Sequence, residues 1–123
     1  REGVGLLAYS PLAFGALTGK YLGGARPEGS RLSSVYRTFN RYDSASAQQA
    51  IAAYVALARE LDVSPAQLAL AAVIGKPFVS SALTGQTSLA QLRENLGALT
   101  LQLSPETLAR IEQIHALTPN PAP

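Results

Sequence analysis

The residues best equipped for chemistry sit in one short span. Gly85, Thr87 and Ser88 make a small, hydroxyl-bearing turn, and Gln91, Glu94 and Asn95 come after it at helical spacing. Residues three and four apart are neighbours on a helix, so these three polar side chains share a face. The first amides of a helix lack intrahelical partners and carry the positive end of its dipole, which suits an anion. A turn of this type followed by amide side chains one turn in could hold a nucleotide phosphate at the helix start and a base alongside. The same pattern also suits a capped surface helix with a solvated polar face, and periodicity does not separate the two.

A second candidate stands after an apolar run near the start. Ser10-Pro11-Leu12, then Gly15 and Gly19-Lys20-Tyr21, lie where the C-terminal end of a strand would deliver a loop, the usual ligand position in α/β folds. Pro and Gly there are equally compatible with ordinary turn chemistry. Other classes of chemistry find little support. The chain has no Cys and one His, which excludes thiolate metal sites, disulfides and His clusters. His115, seven residues after Leu108 and four after Ile111, is expected on the buried side of its helix. Glu106 reads as first-turn charge rather than as half of a carboxylate pair.

The elements that must position these residues are set by pattern and punctuation. Val4–Tyr9, apolar and closed by Ser10-Pro11, predicts a buried strand. Residues from Ser10 to Ala45, rich in Gly, Ser, Pro and Arg, predict a long loop with a helical turn near Ala16; loops of this length are usually functional or disordered. Ser46 with Gln49 predicts a capping box, opening a helix that carries Ala50, Ala53, Tyr54, Leu57 and Leu61 as far as Asp62. Ser64-Pro65 opens a second helix, stopped by Gly75 and Pro77. Phe78–Leu83 predicts the second strand. Ser88 with Gln91 caps a helix over 89–98 whose stripe of Leu89, Leu92, Leu96 and Leu99 is expected to pack on a sheet. Ser104-Pro105 opens a last helix through about Ala116, before a Pro-rich tail.

Alternating strands and helices point to a parallel α/β fold, yet two strands leave edges that this chain cannot close. The chain also lacks Met and opens on Arg1-Glu2-Gly3-Val4. Both observations lead to the expectation that partner strands lie upstream. At 123 residues and 47% hydrophobic, the chain has the composition of a folded domain rather than a disordered one. Its net charge of +2 comes from ten scattered Lys and Arg, which makes no case for nucleic acid. No apolar run approaches the roughly 20 residues needed to cross a bilayer, and no signal peptide opens the chain, so a cytoplasmic location is expected.

The strings GLLAYSPLAFGALTGKYL, residues 5–22, and LTGQTSLAQLRENLGAL, residues 83–99, together resemble the aldo-keto reductase superfamily, in the branch that includes the potassium-channel beta subunits. The resemblance implies the C-terminal part of a TIM (β/α)8 barrel, with strands seven and eight, their helices and the C-terminal helix, over residues 1–123. It implies NADP(H) as cofactor and a small carbonyl compound as substrate of the complete protein. Tyr9 would stack on the nicotinamide, and Ser10, Pro11, Leu12, Ala13 and Phe14 would line the pyrophosphate and ribose. Lys20 and Arg31 would approach the adenosine 2′-phosphate, Arg31 across a one-residue length difference in a variable loop. Gly85, Thr87, Gln91, Glu94 and Asn95 would surround the adenine and its phosphate. Where many relatives carry Trp before the eighth strand, this chain reads Ala72-Val73-Ile74-Gly75.

The family's catalytic Tyr, Lys, Asp and His belong to the N-terminal half and have no counterparts here. The resemblance therefore implies an NADPH-dependent reductase in which this segment supplies the cofactor site. A cofactor-binding regulatory protein and a remnant without ligand are the alternatives.

Overall fold

The computed structural model describes residues 3–33, 36 and 38–122. Arg1 and Glu2, Pro123 and positions 34, 35 and 37 of the expected long loop lie outside this description. The elements run β1 (Leu6–Tyr9), α1 (Ala45–Glu60), α2 (Pro65–Ile74), β2 (Val79–Leu83), α3 (Leu89–Gly97) and α4 (Pro105–Leu117). Between β1 and α1 the chain makes two short 3-10 segments, Ala13–Thr18 and Leu22–Gly24. The first fulfils the turn expected near Ala16.

Helix starts obey one local rule. Ser44, Ser64, Ser88 and Ser104 are extended residues whose hydroxyls accept the amide three residues on, at 3.1–3.2 Å. Pro65 and Pro105 add a pre-set φ at the first helical position. The capping box expected at Ser46 is corrected: Ser44 adopts the extended geometry and caps Ala47, which leaves Ser46 inside the first turn. This helix also ends at Glu60 rather than Asp62. Both strands begin later than their apolar runs suggest, at Leu6 rather than Val4 and at Val79 rather than Phe78.

β1 and β2 pair in parallel, Leu6 with Val79, Leu7 with Ser81, Ala8 with Ala82 and Tyr9 with Leu83, with an irregularity between Leu6 and Leu7. The core lies elsewhere. Ala16, Tyr21 and Leu32 of the loop bury against Ile51 and Val55 of α1. Leu57, Ala58 and Leu68 form a second cluster, covered by Val63, Leu103, Ile111 and Ile114. One glycine is demanded by this arrangement: Gly19 has φ +83°, and a β-carbon there would lie 3.0 Å from Val55 Cγ2.

Three expectations about burial fail. His115 is exposed, because Thr107, Ile111 and Ile114 form the inward stripe of α4 and His115 falls just past its edge. The leucines of α3 are also open to solvent, as is Leu99 just past its end, and β1, expected to be buried, exposes Leu6, Leu7 and Tyr9. These side chains have the pattern of a packing surface, and a two-stranded sheet gives them too little to pack on.

Candidate functional site

Parallel pairing determines what meets at the site. Because Tyr9 stands opposite Leu83, both strands end on the same side, and the loop from Ser10 and the turn from Thr84 leave together. The turn back after β1 is abrupt: the Ala13 amide donates to Ser10 O at 2.8 Å and the Gly15 amide to Leu12 O at 2.8 Å. Ser10, Ala13 and Phe14 all take positive φ, at 52°, 48° and 64°. Such conformations cost L-residues about 1–2 kcal/mol each. Three in five residues concentrate strain where a ligand loop would be built.

Phe14 is the hub of the loop. Its ring stacks on Phe39 at 4.7 Å and meets Tyr36 edge-on at 5.1 Å. The Arg31 guanidinium lies over it, 4.7 Å from the ring centre. The same guanidinium comes within 3.7 Å of where a β-carbon on Gly85 would stand. Arg31 thus reaches from the long loop toward the turn after β2. Lys20 is exposed and folds over Tyr21, 5.1 Å from the ring centre, with Nζ 3.1 Å from the β-carbon position of Gly15. The two cations therefore anchor at different parts of the loop.

At the start of α3 the Thr87 amide and hydroxyl both donate to Gln91 Oε1, at 2.9 and 3.2 Å, while the Gln91 amide donates to Ser88 Oγ at 3.2 Å. The capping box expected between Ser88 and Gln91 is thereby shifted by one residue, with Gln91 reaching the amide of Thr87. Gln91, Glu94 and Asn95 have different surroundings. Gln91 and Glu94 are exposed; the Glu94 carbonyl accepts from Gln67 Nε2 at 3.1 Å, and Asn95 lines a groove of about 340 Å³ with Leu70, Ile74, Val79, Leu92 and Leu96. Tyr9 is exposed at the strand end, and Pro11, Leu12 and Ala13, at the start of the loop, are half-buried.

Sequence reasoning missed the aromatic stack. Phe39 and Tyr42, 5.8 Å apart, sit at irregular spacing in a loop, and only the local density of rings could have drawn attention to them. It also missed Gln48, whose Oε1 accepts the Gly23 amide at 3.1 Å and whose Nε2 donates to Tyr42 O at 2.8 Å.

The donor set fits a phosphate-bearing dinucleotide. It offers two exposed cations, an accessible aromatic face at Tyr9, and a Thr87 hydroxyl that is committed to Gln91. Among the described residues no group of three or more His, Asp or Glu could hold a metal, and no helix is long and apolar enough to cross a membrane.

Residues 1–116 match the aldo/keto reductase family. The chain belongs to that family. Among curated relatives, this aldo/keto reductase chain is 51% identical over 122 residues to Protein tas of Escherichia coli K12, which covers 99% of the chain and 35% of that protein. It is 40% identical to a probable voltage-gated potassium channel subunit beta of Arabidopsis thaliana, covering 92% of the chain and 36% of the relative. It is 36% identical to an L-glyceraldehyde 3-phosphate reductase of E. coli K12, over 91% of the chain and 34% of the relative. The chain therefore spans about a third of the length of these relatives.

Proposed function

We propose that this chain is the cofactor-binding part of an NADPH-dependent reductase of aldehydes or ketones, its strands being the seventh and eighth of a TIM barrel. The observation that carries this reading is the junction at the strand ends: a parallel register with Tyr9 opposite Leu83, and Arg31 spanning from Phe14 to Gly85. Bound NADPH supplies the hydride. In this reading Tyr9 offers its ring to the nicotinamide, Ser10 to Phe14 shape the pyrophosphate path, and Lys20 and Arg31 neutralise the 2′-phosphate. Gly85, Thr87, Gln91, Glu94 and Asn95 take the adenine end. Thr87 reaches a phosphate only if Gln91 releases its amide and hydroxyl. The protein works in the cytoplasm on a small carbonyl substrate, and the proton donor belongs to the part of the longer protein outside this chain.

Cofactor preference tests the reading. A charge-assisted hydrogen bond is worth roughly 1.5–3 kcal/mol, so one lost cation weakens binding by about tenfold or more. In the full-length protein Lys20→Ala and Arg31→Ala should each raise the Kd for NADPH by about that factor and leave NADH nearly unchanged. Equal shifts for both cofactors, or none, would remove the phosphate from this loop. The isolated chain should reduce no generic aldehyde with NADPH; turnover that disappears on mutating a residue within it would overturn the division of labour. Similarity to a potassium channel beta subunit favours a second reading, a cofactor-binding regulator, which tight NADPH binding without turnover in the full-length protein would establish.

A further inference from the structure

The residues after α4 lie far in sequence from the site, yet they meet the element that holds it. Pro119 and Pro121 fix φ and withhold amide donors, which narrows the conformations open to this bent tail. The Pro121 carbonyl accepts two hydroxyls from the start of α1, Ser44 Oγ at 3.1 Å and Ser46 Oγ at 3.2 Å. Ser44 is at the same time the cap of that helix.

The start of α1 is where the long loop is tied down. Gln48, one turn in, bonds both the Gly23 amide and the Tyr42 carbonyl. Asp43, beside the cap, pairs with Arg26. Tyr42 packs on Phe39, Phe39 stacks on Phe14, and Phe14 lies under Arg31. An unbroken series of contacts thus runs from Pro121 through the cap of α1 to the cation at Gly85.

We propose that residues 118–122 form a strap that holds the loop from Ala13 to Ser33 in place, so that the tail sets cofactor preference without touching the cofactor. The effect on cofactor preference rests on the function proposed above; the restraint of the loop does not. Ser44, Ser46 and Pro121 are positioning residues.

Two variants of the full-length protein test it: removal of residues 119–123, and Ser44→Asp with Ser46→Ala, which keeps a good helix cap while removing both donors to Pro121. Hydrogen exchange is measured first, without cofactor. Both variants should speed exchange at Gly23 and its neighbours by at least about threefold while the amides of α2 keep their rates. Unchanged exchange in the loop, or equal acceleration throughout the protein, would overturn the strap. Cofactor binding is then compared. The ratio of NADPH to NADH affinity should fall in both variants, and Ser46→Thr, which retains a hydroxyl, should preserve it alongside Ser44. A faster loop with an unchanged ratio would overturn the influence on preference. If the unaltered protein binds neither cofactor, the proposed function falls and hydrogen exchange alone decides the strap.

Discussion

The stretch from Ala13 to Ile74 and the β1–β2–α3 face both carry many apolar residues and end in opposite states. The first buries Leu32, Val55, Leu57 and Leu68 almost completely. The second leaves Leu7, Leu83, Leu89 and Leu96 more than half exposed. The loop is the part that many glycines and polar residues mark as weakly structured, while the strands have the composition of a core. The difference lies in what each can pack against. Loop residues have α1 and α2 beside them, whereas strands and α3 have little beyond one another and α2, and a two-stranded sheet offers one ladder and two open edges. An apolar pattern reports that a surface is made for burial, and the burial itself depends on partners the chain need not contain.

Truncating one leucine in each region tests this contrast most directly. Leu57→Ala should cost about 2–5 kcal/mol in chemical denaturation of either the isolated chain or the full-length protein. Leu96→Ala should cost under about 0.5 kcal/mol in the isolated chain. It should cost about 2 kcal/mol or more in the full-length protein if further barrel strands cover α3. Equal, small effects of Leu96→Ala in both would mean that this face stays open. The isolated chain is also expected to associate through its open edges, as sedimentation would reveal; a dispersed monomer with cooperative unfolding would contradict that.

A smaller effect bears on the ligand loop within the ordered region. If Ala13 is strained at φ 48°, Ala13→Gly should relieve about 1–2 kcal/mol, less about 0.5–1 kcal/mol for the greater freedom of Gly when unfolded. The net gain of roughly 0.5–1 kcal/mol is measurable by denaturation, and a loss of stability would mean that the methyl group contributes more than the strain costs. The smallest effect concerns the helices. Burial, and then the Glu112 carboxylate, raise the pKa of Tyr54. The folded state therefore favours the neutral phenol, a contribution present below the ordinary pKa near 10 and lost as pH rises through the raised value. Tyr54→Phe should leave stability near neutrality almost unchanged and make its decline above about pH 10 shallower. An identical alkaline decline would remove Tyr54 from that account.

Much of the architecture is legible because it is encoded over three or four residues. Ser64-Pro65 and Ser104-Pro105 announce their helices, and the order of strands and helices can be read directly from such signals. Ser46 competes with Ser44 because two serines at one helix start offer the same chemistry, and only the backbone angles choose Ser44. The site is legible as segments rather than as an arrangement. Residues 9–14 and 85–95 stand out in the sequence, and their shared end is a consequence of pairing. The placing of Arg31 over Phe14 and near Gly85, and the ring stack beneath it, depend on how an irregular loop folds, for which periodicity carries no signal. Helical spacing groups Gln91, Glu94 and Asn95, but their surroundings differ, Asn95 being half-buried along the groove beside β2 while Gln91 and Glu94 are exposed.

The serine at the head of every α-helix also bears on the order in which the fold assembles. Each cap closes within three residues, and helices of this length nucleate and relax in microseconds or less. The ladder is a different event, since Leu6 must find Val79 across roughly seventy residues, a closure whose entropy is spent before any pairing rewards it. On a ribosome, β1 emerges before β2, and the edge it offers to β2 stays unpaired until β2 has been synthesised. The helices that form in the interval shorten the search by drawing the intervening chain together, and the interval is when β1 is most open to pairing with the wrong strand.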